Sequence, residues 1–102
     1  MRRRLQADLR ALIKERRNAE VSVIRTLIAA IDNAGAVPLP PRSGAPPGEV
    51  ERRRLSTDDV QAVLRRELEE REASVREFTR LGRAERAEQA RIEADVVGRY
   101  IA

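Results

Sequence analysis

A chain of 102 residues is the length of one domain. It holds no cysteine and no histidine, which excludes disulfides, thiol chemistry and thiolate or imidazole metal ligation. The net charge is +4, almost every cation is arginine with Lys14 the single lysine, and the only aromatic residues are Phe78 and Tyr100. The core is therefore expected to be aliphatic and alanine-rich, which suits helices. No apolar run reaches the roughly 18 residues that span a bilayer. "MRRRLQADLRAL" opens with basic residues but lacks the continuous apolar stretch of a secretory signal, so a cytoplasmic location is expected. Arginine richness at this level also follows from genomic base composition, so the position of the charge is more informative than its amount. Residues 1–18 carry seven cations against Asp8 and Glu15, whereas residues 55–82 carry five cations against seven acids.

The first predicted helix covers about 2–17, with Leu5, Leu9, Leu12 and Ile13 at helical spacing on one narrow stripe. Asn18 is the candidate cap for a second helix over about 19–34. In that helix Val21, Val23, Ile24, Leu27, Ile28, Ala30, Ile31 and Ala34 cover about half the circumference, the mark of a central helix packed on two sides. Gly35 is its expected stop. A Pro/Gly-rich loop follows at about 35–50, holding all five prolines. It is expected to lack a strand and a backbone hydrogen-bond ladder, and to be cut first near Arg42 by protease. "PLPPR" matches a proline-rich recognition ligand only loosely and reads as linker.

"LSTDDV" opens a third helix over about 57–81. Ser56 is the N-cap, Asp59 completes a capping box, and Leu55 with Val60 forms a hydrophobic staple. Val60, Leu64, Leu68, Val75 and Phe78 make its apolar stripe, and Gly82 ends it. The fourth helix, about 84–101, lays Ala87, Ala90, Ala94, Val97 and Ile101 along one face. Ile92, Val96 and Tyr100 form a second stripe, a possible docking face for the rest of the fold, for a partner or for a homodimer. The reading is an all-α, four-helix single domain spanning residues 1–102.

Within "ELEEREASVREF", Glu67 and Arg71 fall within about 20° of the Val60–Phe78 line. They stand four apart with the acid first, the favourable order for a helical ion pair. A catalytic reading needs a second titratable group or a nucleophile, and no G-x-S-x-G, P-loop or GxGxxG pattern is present. Arginine does not act as a base. The pair is therefore expected to be structural, at a packing seam, with Arg25 as third member. On helix one, Arg3, Arg10, Lys14 and Arg17 fall within an arc of about 60° opposite the leucines. Such a strip tracks phosphates without reading sequence, because no aromatic side chain is near to stack on bases.

"QADLRALIKER", "SVIRTLIAAIDNAG", "LSTDDVQAVLRRELEEREASVREFTRLGR" and "AEQARIEADVVGRYI", in that order, resemble the YqeY-like family over nearly the whole chain except the proline-rich insert. The resemblance implies a multihelical fold of the YqeY N-terminal type. It also implies kinship with the C-terminal region of GatB, the subunit of tRNA-dependent amidotransferases that helps hold tRNA. Those enzymes are carbon–nitrogen ligases with glutamine as donor, but their chemistry resides in other parts, so no catalysis transfers. Typical relatives continue from "YLP" into a second, smaller helical domain tied to tRNA contact, whereas this sequence ends "RYIA". The expected role is a non-catalytic accessory domain without metal or cofactor, its partner tRNA or a protein of the aminoacylation apparatus, and its place away from membranes. The rival is a protein–protein interaction or scaffold domain without nucleic acid.

Overall fold

The computed structural model describes residues 1–38, 50–52 and 54–102. In chain order it forms α1 (Arg2–Lys14), α2 (Asn18–Gly35), β1 (Ala36–Pro38), β2 (Val50–Arg52), α3 (Thr57–Arg80) and α4 (Ala84–Gly98). The helices make two antiparallel hairpins, α1–α2 and α3–α4.

The two hairpin turns are built alike. At the end of α1, Arg17 N–H donates to Leu12 O and Arg16 N–H to Ile13 O; at the end of α3, Arg83 N–H donates to Phe78 O and Gly82 N–H to Thr79 O. Both are Schellman closures, which require a left-handed residue at the turn. Gly82 supplies it at φ 72° without strain, whereas Arg16 holds φ 57° with a β-carbon. Each following helix starts from an arginine in nearly the same conformation, Arg17 at φ −87°, ψ 71° and Arg83 at φ −95°, ψ 75°. Helix one is thus shorter than its periodicity predicts, and Asn18 is already helical rather than a cap. The start of α3 carries the full capping box: Asp59 N–H donates to Ser56 Oγ and Ser56 N–H to Asp59 Oδ2, both at 3.0 Å.

The expectation of no strand is corrected by a short antiparallel ribbon, with Ala36 opposite Arg52, Val37 opposite Glu51 and Pro38 opposite Val50. Two features reconcile it with the composition. Val37 and Val50 favour extended backbone, and Pro38 stands at the last pair, where its missing N–H removes at most one ladder bond. The "PLPPR" reading and the expected cleavage near Arg42 fall, apart from Pro38, outside the described residues.

One aliphatic core joins the hairpins. Leu5 of α1, Val23, Ile24, Leu27 and Ile31 of α2, Leu64 of α3, and Val96 and Val97 of α4 with Tyr100 beyond it are buried together. α2 is central, with α1 on one side and the α3–α4 hairpin on the other, as the width of its apolar face predicts. The core draws on α3 no further than Leu68. Beyond that level Ala87, Ala90 and Ala94 are buried outside this cluster, on the α4 face that packs along α3. The far half of the α3–α4 hairpin is thereby an arm two helices thick.

Candidate nucleic-acid interface

Arg3, Arg10 and Lys14 are exposed along the outer side of α1, spaced seven and four residues apart, and none has an ion-pair partner among the described residues. Eleven residues of helix set the first and last about 16 Å apart. The inner side of α1 explains this orientation: Leu5 is fully buried, and Leu9 and Leu12 pack on the core, so the opposite side faces solvent. Arg17 does not continue the strip. The Schellman turn removes it from α1, its guanidinium pairs with Glu20, and Glu15 lies 3.7 Å away. The α1–α2 hairpin, residues 2–35, carries eight cations against four acids; residues 57–98 carry eight cations against eleven acids.

The Glu67–Arg71 pair closes at 2.7 Å, and the same Arg71 Nη1 also donates to Glu67 O at 3.0 Å. The side chains are 17% and 12% exposed, so the pair is largely withdrawn from water. Its third member is Glu93 of α4, whose Oε1 lies 3.6 Å from Arg71 Nε. That separation makes an ion pair but no hydrogen bond, and Nε is buried without a hydrogen-bond partner among the described residues. Arg25, expected in this role, is exposed on α2 and pairs with neither Glu67 nor Arg71. The clamp therefore fastens α3 to α4, not to α2. No sequence signal marks Glu93, because only the register of the antiparallel helices brings it level with Arg71.

Ile92, Val96 and Tyr100 do not share a surface. Val96 is 1% exposed and lies in the core with Tyr100, while Ile92 is 41% exposed. The stripe is divided because α2 covers only the end of α4. Tyr100 anchors a polar cluster that sequence reasoning missed. Its hydroxyl donates to Asp8 Oδ2 at 2.5 Å, Arg4 stacks with its guanidinium carbon 4.6 Å from the ring centre, and Arg4 Nη2 donates to Arg99 O at 3.2 Å. Burial, then the Asp8 hydrogen bond and charge, push the phenol up to about 12, against the smaller opposing effect of Arg4 and Arg99. The buried Glu20 carboxylate accepts from Arg99 at 2.9 Å and also holds Arg17. Gln61 bridges the chain end, donating to Tyr100 O and accepting from Ala102 N–H. A signal for part of this was present. Asp8 falls beside Leu5 and Leu12 on the helical wheel, where an acid must find a donor.

Among the described residues no group of three His, Cys, Asp or Glu is placed to hold a metal ion, and no helix is long and apolar enough to cross a membrane. The architecture defines a class: a small all-α protein of two helix hairpins, one basic and one acidic, fastened by buried polar links. The family model described as Yqey-like protein matches residues 2–102, and the chain belongs to that family. No curated protein and no solved structure matches it.

Proposed function

We propose that this chain is a non-catalytic accessory domain that holds structured RNA, in the cytoplasm, through the outer side of α1. Its RNA class is tRNA, by the resemblance of the family to the tRNA-holding region of GatB. The single observation that carries the reading is the row of three exposed cations, Arg3, Arg10 and Lys14, free of acidic partners among the described residues. Outside residues 2–35 the chain has as many acids as cations, so the positive excess lies on the hairpin that carries this row. Phosphate contacts of this kind position a duplex and carry no sequence information. Tyr100 is buried and stacked by Arg4, and Phe78 belongs to the other hairpin, so neither offers a base-stacking platform beside the strip. The association with carbon–nitrogen ligase chemistry stays with the enzyme such a domain would assist, and no step of that reaction is assigned to residues here.

The test is fluorescence anisotropy of labelled tRNA at low salt, with wild type and Arg10→Ala/Lys14→Ala. Binding by wild type that weakens strongly in the double variant, with helicity unchanged, is expected. An absence of binding at low salt favours the scaffold reading, for which the exposed grooves of the α3–α4 arm are the specific support.

A further inference from the structure

Among the described residues, the arm formed by the far halves of α3 and α4 has no third layer. On one side it leaves a groove of about 510 Å³ whose floor is Leu68, Val75, Ala94 and Gly98. Leu68 and Val75 are only half-buried, and Gly98 has open space where a β-carbon would stand. A thin two-helix hairpin with an apolar strip is half of a four-helix bundle.

The rim indicates what completes it. α3 contributes Glu72 and, one turn nearer the tip, Arg76; α4 contributes Asp95 and, one turn nearer the tip, Arg91. On both helices the acid lies toward the base of the arm and the cation toward the tip. Neither helix closes these residues into its own i,i+4 pair: Glu72, Arg76 and Asp95 have no ion-pair partner among the described residues, and Arg91 pairs outward with Glu88. A rim with acids at one end and cations at the other is complementary to itself when a second copy is turned end for end. A two-fold axis does this, since an isologous contact sets residue i against j and j against i.

We propose that this groove is a homodimer interface in which the arms of two copies pack antiparallel, Glu72 and Asp95 of each copy meeting Arg76 and Arg91 of the other. The proposal does not depend on RNA binding, and its test contains none. The full chain is followed by sedimentation velocity from about 1 μM to about 500 μM, the range in which a contact near the small end of specific interfaces is populated. Wild type should move from monomer to dimer. Arg76→Glu sets acid against acid twice across the axis and should raise the dimer dissociation constant at least about tenfold. Glu72→Arg/Arg76→Glu restores the complementarity with the signs exchanged and should return to within about threefold of wild type. Both positions are exposed, and circular dichroism checks that helicity is retained. A wild type that stays monomeric throughout overturns the proposal. So does a dimer indifferent to Arg76→Glu, or a double variant no better than the single. Should Arg76→Glu lose its helicity, Asp95→Arg takes its place with the same expected loss.

Discussion

Tyr100 is the only tyrosine and the chain has no tryptophan, so its ionisation can be followed alone by ultraviolet absorbance. The fold holds the neutral phenol in place by burying its ring and by presenting the Asp8 carboxylate to its hydroxyl. A pKa raised by folding means stability that is fully present below the unfolded value near 10 and is lost as pH rises through about 12. The absorbance midpoint is therefore expected near 12, and base unfolding should set in over that window. Asp8→Asn should lower the midpoint without bringing it to 10, because burial is the larger cause. A wild-type midpoint at 10 would mean that the ring is not buried. The Arg71 clamp makes a second prediction at this scale. Arg71→Ala strands two carboxylates, Glu67 and Glu93, and should cost about 3 kcal/mol in urea unfolding. Glu67→Leu should cost less, because Glu93 still compensates Arg71. Glu67→Leu/Arg71→Met should be milder than Arg71→Ala, since it removes both charges of the more buried pair and strands only the more exposed Glu93. Equal stability of wild type and Arg71→Ala would refute the clamp. The Glu67–Arg71 spacing was legible in the sequence because a helical i,i+4 pair needs only local geometry. Glu93 and the Asp8–Tyr100 bond were not, because each joins residues brought together by packing between elements.

At the scale of elements, local chemistry sets the boundaries where it is strong and misleads where it is weak. Ser56 and Asp59 name the start of α3 because both halves of the capping box lie within four residues. Ser56→Ala should cost about 1 kcal/mol. Gly82 names the α3 end for the same reason: a left-handed turn residue without a β-carbon is itself the signal. The α1 end carries no such mark, since Arg16 fills the equivalent position, and helical spacing alone extends the helix to residue 17. That disguise has a measurable consequence. Arg16→Gly should stabilise the protein by about 1 kcal/mol by relieving the left-handed strain, raising the melting temperature by about 4–8 °C. A lower melting temperature would show that Arg16 makes contacts worth more than its strain. The β1–β2 ribbon was hidden by composition, because five prolines and neighbouring glycines argue against pairing while the ribbon uses only the residues at their margin.

Across the whole molecule, charge and shape divide between the two hairpins. The α1–α2 hairpin holds the entire positive excess, and its apolar side is consumed by the core, which leaves Arg3, Arg10 and Lys14 in a line facing water. The α3–α4 hairpin is net acidic and extends past the core as an arm. The four-helix plan and the charge asymmetry were legible in the sequence because both follow from periodicity and counting. The projection of the arm was not, because it depends on where α2 crosses the other two helices. The most direct test of the functional account is the salt dependence of tRNA binding. Three phosphates neutralised on duplex-like RNA should give log K against log salt a slope near −2.7, at about 0.9 per contact. Arg10→Ala/Lys14→Ala should leave a slope near −0.9, with thermal stability unchanged because both side chains are exposed. A steep slope in wild type that falls this far in the double variant is the expected result. No binding at low salt, or the same slope in both proteins, would contradict the assignment of α1 as the RNA-facing surface.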